Sequence, residues 1–397
     1  MHPDVLRALV IVVSIAALSP FISDLARRWT RLPGVVVEIT LGIVVGPHVL
    51  GWVHVDDVLS VMAELGLVLL IFLAGFEIDL AHVRGAPLSL AVKGWGGSLV
   101  LGIGVATALH ALGVTSGIRF VAVALTTTAI GTLLPILGDA GVLPTRFGAF
   151  VIAAGALGEL GPIVAISLAL TPVHPGKATA VLALFAVIAI VAAFLATRPA
   201  PPRALRLITK TLHTSAQLGV RLCVLLCALL VWTAESFELD ILLGAFAAGL
   251  IARVFLGSNS EHEAAEGVDH QHEVQTRLES LGFGFFIPLF FVVSGVRFNL
   301  AALGHAGTIA KVPMFLVLFL VVRGLPALLY RKELGRRDVM ALGLFQAAAL
   351  PLVVVITGLG VDAGLMRSDN AAAMVGAGLV SVVLFPIVAL SLHGRSG

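Results

Sequence analysis

The sequence predicts an all-α polytopic membrane protein of about 13 transmembrane helices, and three observations predict it. Mean hydropathy is +1.07 over 397 residues, 59% of them hydrophobic and 12% charged, whereas a soluble chain of this length leaves far more polar surface facing water. Apolar runs of the roughly 20 residues needed to cross a hydrocarbon core recur from one end to the other. Cationic residues favour alternate intervals between those runs. The net charge of +2 is too small to suggest a nucleic-acid partner, so the lipid bilayer is the partner that composition indicates.

Each run is bounded by Pro, Gly or charge. The first, 8–26, follows Arg7 and exits through Leu18-Ser19-Pro20, a poor cleavage site, so it reads as a retained helix. Runs 34–52, 62–80, 88–111, 117–138, 146–170 and 178–197 complete a first half. A connector at 198–216, Pro-rich and then basic, leads to runs 217–235, 238–257, 279–297, 306–330, 338–360 and 370–393. The two cysteines, Cys223 and Cys227, are four apart on one helix face and read as small packing residues, not a disulfide. Between two later runs, 257–278 is polar and carries Glu261, His262, Glu263, Glu266, His270, His272 and Glu273. A metal site or pH sensor is conceivable there, but His262-Glu263-Ala264-Ala265-Glu266 lacks the second histidine of a zinc-protease helix, and a solvated acidic loop is the simpler reading.

The cations orient the runs. Arg27, Arg28, Arg31, Arg84, Arg146, Arg198, Arg203, Arg206, Lys210 and the Arg331–Arg337 cluster fall on one side, with Arg221, Arg253, Arg277 and Arg395. Only Arg7, Arg119, Lys177, Arg297, Lys311 and Arg367 fall on the other, a roughly threefold bias that puts the amino terminus outside and the carboxyl terminus in the cytoplasm.

Three features inside the runs carry chemistry. Glu159, in Ala156-Leu157-Gly158-Glu159-Leu160-Gly161-Pro162, lies near the middle of its run. A charge at that depth costs roughly 2.5–3.5 kcal/mol or more, which marks it as a functional candidate. Its flanking glycines and proline loosen the helix; the plainer alternative is a protonated or paired carboxyl that only joins helices. Thr126, Thr127 and Thr128 fall at the midpoint of 117–138, where β-branched hydroxyl residues can replace backbone partners in an unwound segment. Gln346 and Pro351 interrupt 338–360, and proline removes a backbone donor. Interrupted spans in corresponding halves are the best sequence pointer to a transporter's midplane site. Arg323 is a second charge within a run, nearer its cytoplasmic end, where snorkelling is the alternative. Glu64 and Lys93 also fall within runs, with no partner to assign.

The pattern resembles the bacterial monovalent cation:proton antiporters of the second cation:proton antiporter family, the sodium/proton and potassium/proton exchangers. Matching stretches are Leu32-Pro33-Gly34 to Glu38, Leu41 to Pro47, the specific Leu65-to-Asp79 phrase, Leu242 to Leu250, and Phe285 to Phe291. The resemblance covers nearly the whole chain. It implies inverted five-helix repeats with two crossed discontinuous helices, a homodimer in the inner membrane, and no cofactor. It also implies a dimerisation part (about 1–80 and 217–297) and a moving core (about 88–170 and 306–393). The family's essential acid maps to Glu159, its basic residue to Arg323, and its hydroxyl-rich crossing to Thr127 and Thr128. Two departures are visible: Gly158 stands where members often carry a second acid or an amide, and Arg323 where they often carry lysine. No soluble regulatory domain is expected after the last run.

The expected function is therefore exchange of protons for Na⁺ or K⁺ by alternating access. Glu159 would hold a proton or a metal cation in turn, helped by Thr127 or Thr128 oxygens. Arginine effectively cannot release its proton, so with a single carboxylate the exchange is expected to be electroneutral. A sodium-coupled symporter of a small organic anion and a potassium efflux protein are the alternatives. No nucleophile–base pair or metal-ligand spacing inside the runs supports an intramembrane enzyme.

Overall fold

The computed structural model describes residues 3–26, 33–77, 85–170, 217–257, 270–303 and 306–394, with parts of 183–194. Among the described residues all regular elements are helical. In chain order they begin with α1 (Pro3–Ala26), α2 (Gly34–Val45), α3 (Asp57–Glu77), α4 (Ala86–Ala111), α5 (Ile118–Ala124), α6 (Ile130–Asp139) and α7 (Arg146–Leu170). Then follow α8 (Leu218–Ser236), α9 (Ile241–Gly257) and α10 (His270–Leu281), which continues through a π turn (Gly282–Phe286) into α11 (Ile287–Val296). Next, α12 (Lys311–Phe319) runs through a second π turn (Leu320–Gly324) into a 3₁₀ segment (Leu325–Lys332). The last are α13 (Arg336–Ala347), α14 (Pro351–Asp362) and α15 (Ser368–His393).

Nine helical stretches among the described residues are long and apolar enough to cross a membrane, and they coincide with nine of the expected runs. The other four differ for visible reasons. Run 34–52 is helical only over α2, because the chain turns at Gly46-Pro47 and needs a positive φ of 63° at Gly51. Run 238–257 is the short α9, run 117–138 is interrupted, and most of 178–197 lies outside the described residues. So does the connector 198–216. The polar stretch 257–278 is not all loop: α10 starts at His270. Its i,i+4 pairs support that helix, Arg277 Nη2 lying 2.6 Å from Glu273 Oε1 and Gln275 Nε2 donating to Glu279 at 2.7 Å. Residues 258–269 lie outside the described ones.

The chain divides into two compact units. The first comprises residues 1–59, 80–166 and 291–397. In it α1 packs on α2, α4 on α5, and α12 and α13 on α15. Ser19 Oγ donates to Glu38 Oε1 at 2.9 Å across the first pair. Lys311 Nζ joins α12 to the first turn of α15 through Asp369 (2.9 Å) and Asn370 (2.8 Å).

The second unit comprises residues 60–79 and 167–290. Most of α3 lies here, packed backbone to backbone on α9. A Cβ added at Gly75 would stand 2.3 Å from the Phe246 carbonyl oxygen, and one at Gly249 2.0 Å from that of Phe72. Small residues permit this approach where lipid offers no hydrophobic drive for helix association. Cys223 and Cys227 are buried free thiols on α8.

Candidate ion-binding site at two helix breaks

The first break is Leu125–Ala129, between α5 and α6. A helix end leaves its last carbonyls without intrahelical donors. Here Val123 O accepts from both the N–H (2.9 Å) and Oγ1 (2.7 Å) of Thr126, and Ala124 O from both the N–H (3.3 Å) and Oγ1 (2.8 Å) of Thr127. The threonines thus close the end of α5 with tightened backbone bonds reinforced by their own hydroxyls. The second break spans 348–350, and Pro351 opens α14 at a position where a missing N–H costs nothing.

The two breaks meet. Ala129 N–H donates to Ala348 O at 2.8 Å, and Thr128 Oγ1 donates to Gln346 O at 2.6 Å. Ser381 of α15 accepts from Ala349 N–H at 3.0 Å and faces Ala349 O at 3.1 Å. Unwound backbone at membrane depth is thereby satisfied by protein, as a bilayer interior requires.

Arg323 sits at this junction with 1% of its surface exposed. Its Nε and Nη2 donate to Thr128 Oγ1 at 3.0 and 2.8 Å, Nη1 to Ser98 Oγ at 3.2 Å, and Nη2 to Ala154 O at 3.1 Å. Nε also lies 3.4 Å from Gln346 O. One guanidinium therefore links α4, the first break, α7 and the last turn of α13. A cation at a helix C-terminus opposes the negative end of the helix dipole. Snorkelling is ruled out by this seat. The π turn Leu320–Gly324 carries the residue, and such turns recur at functional positions.

Glu159, on α7, is 7% exposed. Its Oε1 lies 3.5 Å from the backbone nitrogen of Gly131, the second residue of α6. The carboxylate thus faces the positive end of a helix that begins at the break, a position that favours an anion. Beside it, Thr128 N–H donates to Gly158 O at 2.9 Å.

The structure brings Glu159, Thr128, Arg323 and Gln346 to one junction, with Thr126 and Thr127 bonded back onto α5 and Pro351 leading away from it. Glu64 and Lys93, by contrast, are exposed on α3 and α4. Two residues that sequence reasoning missed hold the junction: Ser98, which also donates to Gly94 O at 3.1 Å, and Ser381. A lone serine in an apolar run carries little signal, since its hydroxyl can bond its own helix. Chemically, the junction joins a buried carboxyl at a helix start, a guanidinium and unwound backbone.

The profile of the transmembrane sodium/hydrogen exchanger family matches residues 12–390. The chain is 25% identical to the putative Na(+)/H(+) antiporter YjbQ of Bacillus subtilis over 98% of its own length, spanning 63% of that protein. To the Na(+)/H(+)-K(+) antiporter GerN of Bacillus cereus it is 22% identical, covering 91% of this chain and 90% of that one. Probable Na(+)/H(+) antiporter 3 of Methanocaldococcus jannaschii is also 22% identical, over 95% and 94% of the two chains. Among solved structures, the sodium proton antiporter MjNhaP1 of M. jannaschii matches with a TM-score of 0.70 over 99% of this chain and 98% of that one. At 14% identity that likeness concerns the fold.

Proposed function

Because the chain belongs to the sodium/hydrogen exchanger family, we propose that it exchanges protons for Na⁺ or K⁺ across the cell membrane at Glu159. The seat of Glu159 carries this reading: a buried carboxyl facing the start of α6, beside a backbone break that is already satisfied by protein bonds. Burial favours the neutral form of a carboxyl, and nearby positive charge favours the ionised form. A group balanced between the two can take up a proton from one side and yield it to a cation from the other.

In this mechanism proton and metal cation compete for the same carboxylate. The cation sheds water for the Glu159 oxygens, with the Thr127 hydroxyl oxygen as a further ligand; the Thr128 hydroxyl is already engaged by Arg323 and Gln346. Arg323 keeps its charge throughout, so one proton exchanges for one monovalent cation with no net charge moved. Alternating access follows from two crossed discontinuous helices within inverted repeats. The core (about 88–170 and 306–393) moves past the dimerisation part (about 1–80 and 217–297) of a homodimer whose amino termini lie outside.

The test is a proteoliposome assay with an internal pH dye and imposed gradients of NaCl, KCl or an organic anion salt. Cation-dependent proton flux that disappears in Glu159→Gln is the expected result. Flux that needs the organic anion, or that survives the substitution undiminished, overturns the reading.

A further inference from the structure

In an uninterrupted α-helix the Gly158 carbonyl would accept from the N–H of residue 162. That residue is Pro162, inside α7, and proline has no N–H to give. The freed carbonyl points at the first break, where Thr128 N–H donates to it at 2.9 Å. Such an approach also requires that residue 158 lack a side chain. A Cβ there would lie 2.5 Å from Thr128 Oγ1, 2.6 Å from Thr128 Cβ and 2.7 Å from Arg323 Nη2. Of these, Thr128 Cβ is fixed to the backbone of the break and cannot swing away.

We propose that Gly158 and Pro162 form a docking pair that positions the ion site. Pro162 releases a carbonyl, Gly158 lets the break come close enough to use it, and Thr128 closes the bond. Glu159 follows Gly158 directly, and Gly131, whose N–H faces the Glu159 carboxylate, lies three residues beyond Thr128. The single backbone bond therefore registers the start of α6 against the turn of α7 that carries the acid. On this view the proline is not there for a bend. The second break is docked by different chemistry: Ala349 is held on α15 by the Ser381 hydroxyl. Only the first docking depends on a missing N–H, and it is the one beside Glu159. The same absent Cβ explains why position 158 here carries neither an acid nor an amide: the guanidinium of Arg323 and Thr128 occupy its space.

This inference rests on the proposed role of Glu159, and its test separates the two. Pro162→Ala supplies a competing N–H to Gly158 O and improves intrinsic helix propensity, so the variant folds. Two quantities are read on the full-length protein in proteoliposomes and detergent. Amide hydrogen exchange across residues 125–131 is expected to quicken by roughly tenfold, the loss of about one net hydrogen bond. The concentration of NaCl or KCl giving half-maximal exchange is expected to rise by a similar factor, with the maximal rate within about twofold. Unchanged amide exchange overturns the docking pair, whatever transport does. A fall in maximal rate with unaltered half-saturation, the pattern of a lost hinge, overturns the positioning role. Gly158→Ala is expected to raise half-saturation further; if it does not fold, Pro162→Ala alone decides. Should Glu159→Gln retain exchange, the ion-site reading falls, while amide exchange still tests the docking by itself.

Discussion

Arg323 donates twice to Thr128 Oγ1, at 3.0 and 2.8 Å, while the same hydroxyl donates its proton to Gln346 O at 2.6 Å. A hydroxyl has one donor and two acceptor sites, so all three are engaged. A cation taking Thr128 Oγ1 as a ligand would have to displace the guanidinium. Thr128→Ser keeps the hydroxyl and is expected to retain most activity and stability. Thr128→Val leaves a buried cation short of its partner, at about 2 kcal/mol. Thermal melting of the two purified variants checks this; equal melting temperatures would contradict it.

Glu159→Gln cannot ionise, so cation-dependent proton flux is expected to drop by at least about 100-fold, to the level of empty liposomes, if the carboxylate exchanges its proton. Elution on size exclusion is expected to match that of the unsubstituted protein, because an amide fills the same volume. Glu159→Asp shortens the reach to Gly131 N–H and is expected to weaken cation affinity before it affects maximal rate. Half-saturation curves for Na⁺ and K⁺ distinguish these variants.

Arg323→Lys replaces a planar fork by one ammonium. A single nitrogen cannot satisfy Ser98, Thr128, Ala154 and Gln346 from one position, so a loss of about 1–3 kcal/mol is expected. Lysine can also release its proton when buried. Solid-supported membrane recordings are expected to show no turnover-linked current for the unsubstituted protein. A current that scales with its exchange rate would refute electroneutrality.

In the second unit, Gly75→Val and Gly249→Val each force a side chain onto a helix carbonyl and are expected to cost upwards of about 2 kcal/mol. Gly284→Ala is the control: a Cβ there meets nothing within 4 Å, so its effect should stay within about 0.5 kcal/mol. Detergent-solubilised melting curves provide the comparison.

Much of the junction was legible before its geometry was known, because hydrocarbon makes polar residues conspicuous. Glu159, the three threonines, Gln346 and Arg323 stand out as groups that a lipid-length run cannot hold without a reason. What stayed hidden depends on distances between segments remote in sequence. Ser98 and Ser381 look like any helix serine until the guanidinium and the Ala349 backbone are placed beside them. Gly158 reads as a loosened helix, whereas its purpose lies in the 2.5 Å that would separate an added Cβ from Thr128. The early end of α2 and the helix starting at His270 escaped because hydropathy marks neither a turn at Gly46 nor a helix held by paired polar side chains.

The π turn at Leu320–Gly324 holds one residue more than an α-helical turn would over the same stretch. A single-codon deletion there would leave an ordinary helix, apolar and still able to enter the bilayer. The two flanking segments would keep nearly their present faces, since five residues of a π turn sweep about the same angle as four of an α-helix; what would go is the local bulge that carries Arg323 to Ser98 and Thr128. Spacing, as well as residue identity, is thus a constraint on this stretch, and an in-frame loss of one amino acid would do more harm than most replacements.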